Sequence, residues 1–271
     1  MNPDAPGAGR TFGQGSASGD GPVAVVTGAS EGIGLAIARR LAGDGYRVAM
    51  VARPSPKLDA AVAGIGASAF PAGCDVTRPA ETERAVAAVV RSCGRVDALV
   101  NCASATRTGA ADSFTDDEWV EAFQVKVFGA LRMMRAAWPH LAAARGSVVN
   151  IGGIGARTPR DAFAMTGPLS AALLAFTKVF ADRGITDGVR VNAVNPGAVL
   201  TPRTVAMLTA RAEADGCTLD ETVAGMVRRD HVTRLGTPED VAGVVAFLLS
   251  PDGEWLQGAV IDVDGGRTKG L

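Results

Sequence analysis

The eight residues from Thr27 to Gly34, TGASEGIG, join an apolar run, Val23 to Val26, to a helical pattern at Ile33, Ile37 and Leu41. That order reads as strand, glycine turn, helix. Gly28 permits a sharp turn off the strand, Gly32 removes a side chain where a pyrophosphate would approach, and Gly34 lets the helix pack closely on the sheet. With Ser30 and Ile33 filling the turn, the first N–H groups of the helix point at the phosphates. Nucleotide binding is the chemistry this stretch fits, because the strand before it and the amphipathic helix after it supply the context a glycine trio alone lacks. Nineteen residues past Gly34, where an acidic side chain would bind the ribose 2′-hydroxyl of NAD, stand Ala52 and Arg53. A guanidinium suits a 2′-phosphate, so NADP(H) is favoured over NAD(H), with Glu31 as a weak argument the other way. Cys74, Cys93, Cys102 and Cys217 show no paired spacing for zinc or for a disulfide framework, and His140 and His231 stand alone, so no metal is expected.

The elements that must hold this loop follow from the pattern of the chain. Met1 to Gly21 is rich in Gly, Ala, Ser and Pro and is expected to be a disordered tail, with one domain over residues 22–271. Strands are expected at Arg47–Ala52, near Ser68–Cys74, and at Val96–Val100, Ser147–Ile151, Val189–Val194 and Ala259–Val263. Helices are expected at Lys57–Ile65, Glu81–Arg91, Asp116–Ala144 and Leu169–Arg183, the third carrying Trp119, Phe123, Val127, Leu131 and Met134 on one face. Strands alternating with helices of this length give an α/β fold: a doubly wound, Rossmann-type parallel sheet with right-handed crossovers. In such a sheet the ligand lies beyond the carboxyl ends of the strands, so residues just after each strand are the ones to read. Between Thr201 and Leu235 two further helical patterns, Thr204–Glu213 and Leu219–Arg229, form a candidate lid over residues 201–235, or an ordinary helical excursion packed on the sheet.

Lys plus Arg number 27 against 28 Asp plus Glu, and no basic stripe with interleaved aromatics occurs, which argues against nucleic acid as a partner. The apolar runs are too short to span a bilayer, the N-terminus lacks a signal peptide's apolar centre, and scattered cysteines suit a reducing compartment; a cytoplasmic protein is expected.

Six stretches in order, TGASEGIG at Thr27, Asp75-Val76, NCAS at Asn101, VRVNAVNPGAVLT ending at Thr201, RLGTPEDVA from Arg234 and IDVDGG from Ile261, resemble the short-chain dehydrogenase/reductase family over Pro22 to Gly266. The resemblance implies a seven-stranded sheet, a nicotinamide dinucleotide, hydride transfer to or from a carbonyl or alcohol, and a homodimer or homotetramer built on the long helices. It also implies that Asp75, with Val76 beside it, meets the adenine edge, that Asn101 and Ala103 support the ribose, and that Pro196, Gly197, Val199 and Thr201 wall the nicotinamide.

The family's catalytic positions are where the match fails. Its serine, tyrosine, lysine and asparagine fall on Gly153, Thr166, Ser170 and Lys126. The only tyrosine, Tyr46, starts the second strand, at the wrong end of the sheet. Pro168 favours a helix start at Thr166-Gly167-Pro168, where Thr166 would serve as a cap rather than as an acid. Lys126 interrupts the apolar face of the long helix. Either its ammonium fills the space vacated at Ser170 as a proton donor or electrostatic stabiliser, or it pairs with a carboxylate such as Asp161, or its stem snorkels to water. Arg157, Arg160 and Asp161, in the loop that lines the family's substrate cleft, read as a solvated surface or as a grip for an anionic substrate.

Three functions fit these residues. One is an NADP(H)-dependent oxidoreductase with a non-standard proton relay, acting on a small, moderately hydrophobic carbonyl or activated acceptor. A second is a non-redox cyclase, isomerase or lyase on the same fold. A third is a catalytically silent or nucleotide-sensing subunit in a hetero-oligomer with an active homologue.

Overall fold

In the computed structural model, which describes residues 21–270, seven parallel strands form one sheet in the order β3-β2-β1-β4-β5-β6-β7. The strands are β1 Val23–Thr27, β2 Arg47–Ala52, β3 Ala69–Gly73, β4 Ala98–Asn101, β5 Ser147–Ile151, β6 Arg190–Pro196 and β7 Val260–Val263. The expected tail lies outside the described residues, apart from Gly21.

Alternation within the strands explains why the sheet is covered twice. Every side chain of β1 is buried, but Ala24 and Val26 join one core while Val23 and Val25 join the other. The same split sends Val48 and Met50 of β2 one way and Ala49 and Val51 the other. The first core is closed by α1 (Gly32–Gly43), α2 (Pro56–Ala63) and α9 (Pro238–Leu249). The second is closed by α3 (Pro79–Cys93), α5 (Gly129–Ala144) and α6 (Thr166–Asp187). Helix α9 is apolar on nearly every face, burying Val241, Ala242, Val245, Leu248 and Leu249, and its start is fixed by a capping box between Thr237 and Asp240. Arg234 pairs with Asp240 at 2.6 Å, so the RLGTPEDVA stretch is a helix-capping device.

The expected long helix from Asp116 to Ala144 forms, with an interruption. Helix α4 (Asp116–Phe123) passes into a π turn, Gln124–Phe128, before α5. The N–H of Gly129 reaches back five residues to the Gln124 carbonyl, and Arg132 donates to that same carbonyl and to Val76 O, both at 3.2 Å. A Cβ at Gly129 would stand 2.9 Å from Val76 Cγ2, so the bare glycine admits the strand-end loop against the turn. That turn contains Lys126.

Helices α7 (Pro202–Asp215) and α8 (Leu219–Asp230) fill the segment after β6. They share a small core of Leu208, Met226 and Leu235 with Met207, Leu219, Val223 and Val227 against it. Among the described residues no helix is long and apolar enough to cross a membrane.

Candidate active site

The carboxyl ends of the strands open onto a cleft of about 1270 Å³. Its floor is the first turn. Gly28 (φ +66°) and Gly32 (φ +56°) adopt left-handed angles, and the Gly28 N–H donates to Val51 O at 2.9 Å. A Cβ on Gly34 would lie 2.2 Å from Gly28 O, and one on Gly28 would lie 3.0 Å from the backbone of Ala103. Thr27 ties the two loops together: its hydroxyl oxygen accepts from the N–H groups of Cys102 (2.9 Å) and Ala103 (3.1 Å). The cradle is therefore shaped by backbone approach that side chains would block, with the N-terminus of α1 pointing into it, and this fits a dinucleotide pyrophosphate.

At one end of the cradle the exposed Arg53 lines the cleft with Asp75 and Lys57. Burial alone raises the Asp75 carboxyl, but hydrogen bonds from Thr77 N (2.9 Å) and Oγ1 (2.7 Å), and the positive charges of Arg78 and Arg53, outweigh it and hold it below the usual carboxylate range. Glu31 accepts from Lys57 Nζ at 2.9 Å. Its charge is thus met by a lysine, Lys57, that the sequence reading did not weigh. The only cue to Lys57 was its place in the first turn of α2, four residues past Arg53.

At the other end lies Lys126. Its side chain is buried, lines the cleft, and donates from Nζ to the Gly152 carbonyl at 2.8 Å. Burial pushes its ammonium down to about 8; the nearby Cys102 works against that shift and the Arg203 guanidinium adds to it. Of the alternatives for Lys126, the pairing with Asp161 does not form; Asp161 accepts from the Ala111 N–H at 3.2 Å. Nor does the ammonium bond Ser170, whose hydroxyl is buried with no partner. A backbone carbonyl is what holds it. Burial likewise raises the Cys102 thiol to about 12, against the pull of Lys126, so it stays protonated.

The Gly152-Gly153 loop that receives this bond is itself seated. Asn195 Oδ1 accepts from Gly153 N at 3.0 Å, Asn195 Nδ2 donates to Asp262, and Asp262 pairs with Arg157 at 2.8 Å. A Cβ on Gly152 would come within 2.3 Å of Asn195 Oδ1, so glycine is required there. Sequence reading missed Asn195 as a support, although it sits inside the quoted VRVNAVNPG stretch.

Thr166 opens α6 and faces the loop, its methyl 3.1 Å from where a Cβ on Gly153 would be. The expected cap is corrected: the N-cap is Met165, in helical geometry, with no side-chain cap bond. Pro168, at the third helical position, still costs no bond because the first-turn N–H groups have no intrahelical partner. Thr201 does cap a helix, accepting from Thr204 N at 3.2 Å at the start of α7, while also lining the cleft.

The other expected cofactor residues, Ser30, Ile33, Val76, Pro196, Gly197 and Val199, line the same cleft. Asn101 and Ser170 do not. Asn101 is buried behind the wall, donating to Asn150 Oδ1 at 2.8 Å, and Asn150 in turn donates to Thr177 on α6 at 3.0 Å. Arg157 and Arg160 are not a merely solvated surface, since Arg160 pairs with Asp230 at the end of α8 at 3.1 Å. Met207 and Met226 bring the α7-α8 segment to the cleft, together with Arg203, which donates to Thr106 O at 3.2 Å.

A parallel seven-stranded sheet with its glycine turn and a cleft across the carboxyl ends defines a Rossmann-type protein. A family model described as enoyl-(acyl carrier protein) reductase matches residues 28–268. An uncharacterized oxidoreductase of Methylorubrum extorquens is 37% identical over 251 residues, 91% of this chain and 98% of that protein. This chain belongs to the short-chain dehydrogenase/reductase family of oxidoreductases. Among solved structures, L-sorbose reductase from Gluconobacter frateurii, complexed with NADPH and L-sorbose, superposes with a TM-score of 0.88 at 30% identity, covering 93% of this chain and 98% of that one. A short-chain oxidoreductase from Pseudomonas aeruginosa PAO1 containing an atypical catalytic center superposes with a TM-score of 0.86 at 31% identity, covering 92% and 98%.

Proposed function

We propose that this chain is an NADP(H)-dependent oxidoreductase in which Lys126, not a tyrosine, handles the proton. The observation that carries the reading is a buried ammonium in the cleft, aimed at Gly152 O and lowered to about 8. Gly28, Gly32 and Gly34 shape the phosphate cradle, Arg53 and Lys57 receive the 2′-phosphate, and Asp75 and Val76 border the adenine end. Pro196, Gly197, Val199 and Thr201 wall the reactive ring, and Asn101 ties the end of β4 to β5 behind the cleft. The bound nucleotide supplies the hydride. Support for the phosphate form comes from Arg53 and the Glu31–Lys57 pair, and from the NADPH held by the L-sorbose reductase.

Lys126 is protonated below about 8 and sits where it can donate to an acceptor oxygen or nitrogen, or stabilise charge developing there. Replacement of the family's tetrad by Gly153, Thr166, Ser170 and Lys126 is part of this proposal. Without a phenol the acid is weaker in reach, which suits an activated acceptor such as an enone, quinone or iminium better than a plain ketone. Helices α7 and α8 act as the lid and offer Met207 and Met226 to a small, moderately hydrophobic substrate. A homo-oligomer in the cytoplasm completes the reading.

The test uses NADPH dideuterated at C4 with an enone, whose product keeps the transferred deuteride on carbon. Deuterium in the product, at a rate that falls as pH rises through about 8, is expected, because the donor is lost as Lys126 deprotonates. Lys126→Met should lower kcat on the order of 10²-fold to 10⁴-fold and flatten that pH limb. Deuterium transfer with an unchanged pH profile in the variant would remove Lys126 from the chemistry. Product formed without deuterium would favour a non-redox enzyme.

A further inference from the structure

The far side of the cleft, away from the nucleotide cradle, carries more positive charge than its acids can match. Lys126 and Arg203 line it and are bonded to backbone carbonyls, Gly152 O and Thr106 O, not to carboxylates. Arg267, just beyond β7, also lines it. The Arg267 side chain is only 11% exposed, and its Nε is buried with no hydrogen-bond partner among the described residues. Its one acidic contact is Asp230, with Nη1 to Oδ2 at 3.4 Å, too loose to satisfy that oxygen, which is itself buried without a hydrogen bond. Asp230 must also serve Arg160 and Arg229, each at 3.1 Å to Oδ1. A second carboxylate, Asp264, is taken up by its own loop, accepting from the backbone N–H groups of Gly266 (2.9 Å) and Thr268 (2.7 Å) and from the Thr268 side chain. Three guanidiniums thus converge on one carboxylate.

A buried guanidinium whose Nε has no acceptor is costly unless a ligand completes it, and the guanidinium fork matches a carboxylate with two parallel N–H bonds. We propose that the substrate carries a carboxylate and that Arg267 receives it, with Arg160 beside it, while the reacting atom faces Lys126. Arg267 becomes a specificity-determining residue, and the chemistry of the substrate is narrowed to a small acid bearing an apolar body. This inference rests on reading the cleft as the active site of an oxidoreductase.

The experiment is a calorimetric titration of the NADP⁺-loaded full chain with 4-oxo-4-phenylbut-2-enoate, an acid whose enone is an activated acceptor, and with its methyl ester. The acid is expected to bind on the order of tenfold to hundredfold more tightly than the ester, the range of a charge-assisted pair. R267M should erase that ratio while leaving NADPH affinity unchanged, and R267K, which keeps the charge but loses the fork, should retain only part of it. Absence of acid selectivity in the unaltered chain, its survival in R267M, or its full retention in R267K overturns the proposal. NADPH oxidation is recorded in parallel with the same two compounds as a separate readout. Acid-selective binding without oxidation would sink the oxidoreductase reading and leave the carboxylate anchor standing; oxidation without acid selectivity would do the reverse.

Discussion

At the residue scale one buried cation, Lys126, stands out in the cleft. Lys126 is 5% exposed and bonds a neutral carbonyl, so its charge is taken out of water with little in return. The consequence for stability has a definite sign. Its pKa is lower in the folded chain, about 8, than the ordinary 10.5 of the unfolded one. The unfolded chain therefore binds the proton more readily, and the penalty is full below about 8 and fades as pH rises towards 10.5. Lys126→Met, which keeps the stem and removes the charge, should stabilise the protein by about 3 kcal/mol near neutral pH. The gain should shrink in alkaline buffer. Denaturant unfolding at both pH values reads it, and a destabilised variant at neutral pH would show that the ammonium has a partner that outweighs its burial. A gain in stability beside a loss of turnover is the expected mark of a residue kept for chemistry.

At the scale of elements, the turn after β1 and the π turn between α4 and α5 do the positioning, and they differ in how legible they were. The glycine turn could be read from spacing because each glycine answers a steric demand that is local in sequence. Gly34→Ala puts a Cβ about where Gly28 O already stands, 2.2 Å away, so α1 must shift off the sheet. A loss of about 3 kcal/mol or more in unfolding free energy is expected, with nucleotide binding falling in parallel. A variant as stable as the parent would mean that the turn is not held by this contact. By contrast, the π turn depends on Gly129 meeting Val76, a contact across 53 positions of chain, and no periodicity announces it. The start of α6 shows the same limit. Pro168 located the helix start, but whether Thr166 or Met165 became the cap depended on the loop packed above, where Gly155 O and Gly167 approach each other.

On the scale of the whole molecule, the doubly wound sheet was legible because alternate residues of β1 and β2 had to be apolar on both faces, and the strand ends then named most of the cleft wall. What the sequence could not show was charge balance in three dimensions. Lys57 neutralising Glu31, Asn195 and Asp262 seating the Gly152-Gly153 loop, and Arg160 and Arg267 sharing Asp230 all join residues that lie far apart along the chain. The central claim is that the cradle is built for a 2′-phosphorylated dinucleotide, and the most direct measurement is calorimetric titration of the full chain, and of Arg53→Asp, with NADPH and NADH. The unaltered chain is expected to bind NADPH more tightly by on the order of tenfold or more, and the variant to lose or reverse that preference. Equal or tighter binding of NADH by the unaltered chain, or no binding of either nucleotide, would contradict the account.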